Sequence, residues 1–403
     1  MKYSASLLLL ASAGWASALT RRCADEGGNW FCNQVNHIRY EGIGGKGSFK
    51  DVTGMGSNGE CQMTDKSYDG PLAPFDEDLS IHIRGPFQLK EAAVYNLAPK
   101  NGRDTEVPRR VRPRQVHEPQ KKADVVVATI DGKVVSWENN WFGGSPTKAP
   151  APVATPPAHP PPAYPPPAYP PTNPGPSGSA WNRVAYYNAE KKVVENMVFL
   201  GNYGGQGSGV FDYTWGNSLA YLNADGNGGS SSPQTLKDVN IPSNKEFSIF
   251  SAEKCDGSCG FSRAKDVAYK GFGGANKVFL FHFKMPLDGD RGFNGDMPAL
   301  WALNARIPRS AQYNACSCWK TGCGEADIYE VLAKGDTKCK STLHMAKGTG
   351  SSDFFKRPVD KFIKVATVFH EATGSISIQL LPDNTDFSKG LDDATVRGWI
   401  NGQ

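Results

Sequence analysis

The chain has 403 residues, with 44 Lys plus Arg against 40 Asp plus Glu, 39% hydrophobic and 21% charged residues, and a formal net charge of +4. That composition suits a globular protein rather than a fibrous or wholly disordered one, and so small a charge gives no reason to expect nucleic acid as a partner. No window beyond the N-terminus holds the roughly 18 apolar residues a membrane span needs.

Residues 1–18 read as a secretory signal peptide, with Lys2, an apolar stretch from Leu7 to Ala13, and the small residues Ala16, Ser17 and Ala18 at the cleavage position. Export is therefore expected. Arg21-Arg22, just beyond, has the form of a dibasic processing site. The nine cysteines (Cys23, Cys32, Cys61, Cys255, Cys259, Cys316, Cys318, Cys323 and Cys339) then fold in an oxidising compartment, where disulfides persist. Zinc is the competing use of Cys316, Cys318 and Cys323, but no histidine pair stands nearby at finger spacing. Six cysteines follow the proline-rich segment and three precede it, so the expectation is internal pairing downstream and one odd cysteine upstream.

Residues 19–144 begin glycine-rich and then carry strand-like runs: Leu79-Ser-Ile-His-Ile-Arg, Ala92-Ala-Val-Tyr, Val125-Val-Val-Ala-Thr-Ile and Lys133-Val-Val-Ser-Trp. Asp131-Gly132 between the last two is a hairpin turn signal. Arg103 to Lys122 is polar and basic and reads as a loop. No catalytic constellation is visible in this part, which is expected to form a separate β-rich N-terminal domain. Residues 145–178 follow as a linker, with fifteen prolines between Pro146 and Pro176 and two copies of Pro-Pro-Pro-Ala-Tyr. Such a stretch favours polyproline II, rising about 3.1 Å per residue, and is expected to hold two domains apart.

Residues 179–403 are long enough for one further domain. Lys277-Val-Phe-Leu-Phe-His-Phe-Lys, Ala326-Asp-Ile-Tyr-Glu-Val-Leu, Phe362-Ile-Lys-Val-Ala-Thr-Val-Phe and Ser375-Ile-Ser-Ile-Gln-Leu are short, β-branched and aromatic, and separated by Gly, Pro, Asn and Asp. Strands at this spacing, without helical patterns between them, predict an all-β sandwich or jelly roll.

Three carboxylates crowd into Glu325-Ala-Asp327-Ile-Tyr-Glu330, a segment otherwise suited to a strand. Residues two apart share a face, so Glu325 and Asp327 point the same way while Glu330 has the wrong parity. One inserted residue, a β-bulge, would bring Glu330 round to their face. Two carboxyl groups roughly 5 to 5.5 Å apart are what a retaining glycosidase needs, one to attack the anomeric carbon and one to protonate the leaving oxygen. The third would separate their proton affinities. An acidic strand edge or a calcium site uses the same residues, so the context decides.

Met285 to Leu303, with Pro298-Ala-Leu-Trp301, precedes the carboxylates, and Ser341-Thr-Leu343-His344-Met follows them. Over residues 277–348 this order resembles the family-16 glycoside hydrolases of the laminarinase and lichenase type. The whole chain resembles fungal cell-wall proteins of the Tos-one type, through Ser67-Tyr-Asp-Gly-Pro-Leu-Ala-Pro, Ile83-Arg-Gly-Pro and Gly201-Asn-Tyr-Gly-Gly. The resemblance implies a concanavalin-like β-jelly-roll domain in a secreted, wall-associated protein that acts as a monomer on β-1,3-glucan. It makes Glu325 the nucleophile, Glu330 the general acid/base and Asp327 the assisting carboxylate, with Trp301 and His344 lining the cleft; core packing is the alternative use of both.

Two departures stand out. Met297 occupies a position where the family often has tryptophan, and the cysteine-rich insert Cys316–Cys323 brings Trp319 as a further candidate subsite. Tyr203, Trp215 and Tyr221 could form an opposite cleft wall or simply pack. Neither a cofactor motif nor a metal-ligand set stands out. A transglycosylase on the same scaffold, or a non-catalytic glucan-binding wall protein, are the alternatives to hydrolysis.

Overall fold

The computed structural model describes residues 23–98 and 180–403, together with the backbone of Val125–Ile130 and Lys133–Glu138. The signal peptide, Arg21-Arg22, the basic loop 103–122 and the linker 145–178 lie outside the described residues. Two antiparallel sheets make the predicted β-sandwich. In one, Val193–Glu195, Trp181–Asn188, Gln88–Leu97, Lys277–Lys284, Ile363–His370, Ser375–Leu381 and His37–Glu41 lie side by side in that order. In the other, Met197–Gly201, Glu246–Ser251, Leu79–Arg84, Ala299–Asn304, Glu325–Glu330, Lys338–His344 and Thr349–Gly350 are consecutive neighbours.

The expected separate N-terminal domain is corrected by this order. Leu79–Arg84 pairs with Glu246–Ser251 on one side and Ala299–Asn304 on the other, and Gln88–Leu97 sits between Trp181–Asn188 and Lys277–Lys284. Strands from before the linker are thus interior strands of both sheets. Their apolar side chains belong to one core: Leu79, Ile81, Ile83, Leu89 and Val94 pack with Phe199, Phe247, Phe279, Phe281, Ile328 and Val365. Dividing the chain at the linker would leave unpaired strand edges and bare apolar faces in both parts. The described segments on the two sides of the linker are also joined directly. Leu97 pairs with Trp181 across the ladder, and the Ala98 amide donates to the Ala180 carbonyl at 2.7 Å. Ala98 and Ala180, the described residues on either side of 99–179, therefore meet at one point of the sandwich. Within 99–179, Val125–Ile130 and Lys133–Glu138 pair as an antiparallel hairpin bracketing Asp131-Gly132.

Lys277–Lys284 explains why its sequence is nearly continuous in apolar residues. Phe279, Phe281 and Phe283 enter the core between the sheets, while Val278 and Leu280 enter a second core on the other side. That second core is closed by Trp181, Phe387 and the C-terminal helix Asp393–Ile400, through Val396, Trp399 and Ile400. Asp392 caps this helix by accepting from the Thr395 amide at 2.7 Å. Among the described residues no helix is long and apolar enough to cross a membrane.

The outer face of the other sheet is only partly covered. A long hairpin, Gly45–Met55 with Cys61–Gly70, and the insert 305–324 lie over it, sharing Phe49, Trp301, Leu303, Ile307 and the Cys318–Cys323 disulfide in one cluster. The cysteine expectation changes accordingly. Cys61–Cys316 bridges the two halves of the chain, Cys23–Cys32 and Cys255–Cys259 are local, and the odd residue is Cys339, buried downstream. The pairing was hidden because Cys61 and Cys316 are 255 residues apart and meet only through the sheet order.

Candidate active site

The expected bulge is present. Against Ala299–Asn304, Leu300 faces Tyr329 and the next residue, Trp301, faces Asp327, so Ile328 is extra. Against Lys338–His344, Asp327 faces Thr342 and Glu330 faces Lys340, again with one residue too many on the carboxylate strand. Ile328 and Tyr329, though consecutive, both enter the core. Directly opposed residues share a face of an antiparallel pair. Glu325 opposite His344, Asp327 opposite Thr342 and Glu330 opposite Lys340 therefore stand in three rows on one face, the outer face of the sheet.

The neighbouring strand before the linker completes this face. In Leu79–Arg84 the odd positions enter the core, and Ser80, His82 and Arg84 point outward. Arg84, Ala299 and Glu330 are successive partners across the sheet. The small Ala299 between them lets the guanidinium reach over, and Arg84 Nη2 lies 3.6 Å from Glu330 Oε1. Arg84 Nε is fixed by donating to the Met297 carbonyl at 2.8 Å, and its charge lies over the Trp301 ring at 5.9 Å. His82 stacks near Trp301, and its Nδ1 is 3.3 Å from Glu246 Oε1, which also accepts from Gln312 at 2.7 Å.

Two donors from the insert meet Glu325. Tyr313 Oη donates to Oε1 at 3.0 Å, and Trp319 Nε1 donates to Oε2. Tyr313 itself accepts from Trp301 Nε1 at 2.9 Å. His344 Nε2 and Asp327 Oδ2 are 2.9 Å apart. The insert comes this close because Gly322, at φ +87°, lets its backbone pass Ala346; a Cβ there would lie 2.5 Å from the Ala346 nitrogen.

Burial, and then the charge of Asp327, pushes Glu325 well above the usual carboxylate range, with His344 and the Trp319 donor opposing. The same two causes raise Glu330 to about 7, opposed by Arg84 and His344. Burial works against the His344 cation, yet its bond to Asp327 and the charges of Glu325 and Glu330 hold the imidazolium up to about 9. At neutral pH the cluster thus keeps a proton among its buried carboxyls and a cation at its rim, the condition for acid and nucleophile to coexist.

The structure brings Glu325, Asp327, Glu330, His344 and Trp319 together. Trp301 is also here, but only 3% exposed, so it acts through Tyr313 and beneath Arg84 rather than as an open platform. Trp215 and Tyr221 are buried packing residues. A groove of about 590 Å³ runs beside the carboxylate strand, lined by Trp319, Gly322, Thr342, His344, Thr349 and Gly350 among others. Sequence reasoning missed Arg84 and Tyr313. For Arg84 the signal was the strict apolar/polar alternation of Leu79–Arg84; Tyr313 sits in an irregular insert with no such pattern. Among the described residues no group of three or more His, Cys, Asp or Glu is arranged to hold a metal ion.

Comparison with known proteins adds to the geometry. The family model described as Cell wall protein YJL171C/Tos1, C-terminal, matches residues 179–399, and its N-terminal counterpart matches 36–97. A Candida albicans protein named "Probable circularly permuted 1,3-beta-glucanase TOS1" is 35% identical, covering 99% of this chain and 98% of its own. An Arthroderma benhamiae protein named "Probable circularly permuted 1,3-beta-glucanase" is 40% identical over 90% of this chain and 88% of its own, and a Saccharomyces cerevisiae relative is 33% identical over 99% and 97%. No solved structure matches significantly.

Proposed function

Since the chain belongs to the YJL171C/Tos1 family of cell-wall proteins, we propose that it is a secreted, retaining endo-β-1,3-glucanase of the fungal wall, with Glu325 as nucleophile and Glu330 as acid/base. The names of its relatives support the substrate. One observation carries the chemistry: a bulged strand turns two buried glutamates and an aspartate onto one face, with proton affinity raised at both glutamates and two donors aimed at Glu325 alone.

The donors support these roles. Trp319 Nε1 can only donate, and Tyr313, already accepting from Trp301, has its own proton to give. Both favour an ionised Glu325, as an attacking carboxylate requires. Glu330 has no such pair of donors against the burial and the Asp327 charge that raise the proton affinity of both glutamates. In the first step Glu325 bonds to the anomeric carbon, the glycosidic C–O bond breaks, and the Glu330 proton passes to the leaving oxygen. In the second, Glu330 as carboxylate takes a proton from water, the resulting hydroxide oxygen bonds to the anomeric carbon, and Glu325 is released with net retention. Asp327, paired with His344, stands on the same face as both glutamates.

The test is reducing-end release from soluble β-1,3-glucan by the full chain and by its Glu325→Gln and Glu330→Gln variants, with products sized. Wild-type cutting, with a loss of about a thousandfold or more in each variant, supports the reading. Products longer than the substrate would assign glycosyl transfer instead of hydrolysis. Equal binding by all three proteins with no turnover would overturn the enzyme reading and leave a glucan grip.

A further inference from the structure

Past the end of the groove beside the carboxylates lies a residue no motif pointed to. From Trp319 and His344 the groove passes Thr342 and reaches the edge strand Thr349–Gly350. Ser351 follows directly, and its carbonyl accepts from Lys340 Nζ. The same ammonium donates to the Trp30 carbonyl at 2.8 Å. Two carbonyls on one nitrogen are neighbours, so the Trp30 backbone lies beside Ser351, the residue that follows the groove's edge strand. Lys340 is the partner of Glu330 in the ladder and is itself 7% exposed.

Trp30 is placed there by a braced element. It lies on a small hairpin, Ala24–Glu26 with Asn29–Phe31, closed by Cys23–Cys32. Phe31 turns inward, 4% exposed, against Phe354 and the ammonium groups of Lys338 and Lys340 at 4.9 and 5.2 Å. The Cys32 amide donates to the Ser352 carbonyl at 2.8 Å, and the Asn33 amide to Asp353 at 3.1 Å. Successive strand residues point to opposite sides, so Trp30 faces away from Phe31 and is 56% exposed. A disulfide, a buried lysine and two backbone contacts hold this one indole in water.

We propose that this groove is a row of glucosyl subsites ending on Trp30: a β-1,3-glucan chain leaving the carboxylates crosses Lys338–His344 and Thr349–Gly350, and an outer sugar stacks on the Trp30 ring. The proposal rests on the glucanase reading. The groove's chemistry suits a sugar chain. Thr342 and Thr349 are among its lining residues, and indole faces match the C–H surface of a pyranose. Thr349–Gly350 is two strands from the carboxylates, on the order of 10 Å, and Trp30 lies beyond it. Only an oligosaccharide of several units reaches it.

The experiment measures kcat/KM of the full chain on β-1,3-gluco-oligosaccharides of graded length, for wild type, Trp30→Ala and Trp30→Phe, with melting temperatures and calorimetric binding of the same sugars. Trp30→Ala is expected to lose about tenfold in kcat/KM on the longest substrates, through KM, with equal rates on the shortest cleaved one, and Trp30→Phe to recover most of it. A Gly350→Phe variant blocks the groove itself; a side chain there meets Thr342 only at an ordinary 3.5 Å. It should produce the same length-dependent loss without touching the N-terminal hairpin. Losses equal at every length, or none at any, overturn the proposal. If wild type cuts no glucan, the function fails separately, and the binding data still decide: affinity that rises with sugar length in wild type but not in the variants supports the groove, and flat affinity in all overturns it.

Discussion

The two sheets share one core and differ in what they do with their other face. Behind Lys277–Lys284 the outer side is sealed by the C-terminal helix, and the strand buries phenylalanines on one side and Val278 and Leu280 on the other. In the partner sheet the outer face carries Ser80, His82, Arg84, Glu246, Glu325, Asp327 and Glu330. Burying like charges on one side of a sheet gives up stability, and the helix-backed sheet, apolar on both sides, supplies the rigidity against which those charges are held.

The largest effect breaks the comparison outright by removing strands from both sheets. A fragment of residues 179–403 lacks Leu79–Arg84 and Gln88–Leu97, interior strands of the two sheets. It is expected to show no cooperative unfolding transition by circular dichroism. Replacing residues 99–179 with a short turn should leave a folded, active sandwich, because their ends already meet at the Ala98–Ala180 hydrogen bond. A fragment that melts cooperatively on its own would mean that the shared core is not needed.

Next in size are single substitutions, which should act with opposite sign on the two sheets. Phe279→Ala empties a fully buried site in the common core and should cost about 3–5 kcal/mol, read as a lower denaturation midpoint with activity kept in the surviving fold. Glu330→Gln should abolish turnover yet stabilise. The carboxyl is raised in the fold from 4.5 to about 7, so wild type binds a proton more tightly folded than unfolded, and its stability falls as pH rises across that interval. The variant escapes this loss. Its advantage should be absent below about pH 4.5 and grow to no more than about 3 kcal/mol above pH 7.

The same contrast explains what could be read beforehand. The Phe-rich run of Lys277–Lys284 and the three carboxylates in Glu325–Glu330 are local patterns, and parity alone required the bulge that turns Glu330 round. Leu79–Arg84 was legible as a strand, but no catalytic constellation was visible around its polar positions. Nothing local says that Ala299, more than 200 residues away, lies beside Arg84, or that Glu330 lies one strand further on. The proline-rich segment misled because composition marks a boundary in sequence, whereas the sheets close across it. Tyr313 and the Cys61–Cys316 bridge belong to the same class: pairings across the sheet order, set by which apolar faces meet.

The smallest predicted effect is the sharpest test of how the halves cooperate. Arg84, from before the proline-rich segment, holds its guanidinium 3.6 Å from Glu330, and its positive charge lowers a proton affinity that burial and Asp327 raise. With Glu330 as the proposed acid, it must be protonated for the first chemical step, so activity is expected to fall as pH rises through about 7 in the free protein. Arg84→Met removes the opposing charge. Glu330 then holds its proton to higher pH, and the alkaline limb of kcat/KM should move upward, while Arg84→Lys, which keeps a charge, should move it less. A residue that only braced the strand would lower the whole profile without moving its limb. An unmoved limb would therefore assign Arg84 to packing over Trp301, and a limb moved downward would mean that the proton on Glu330 is governed by a different neighbour.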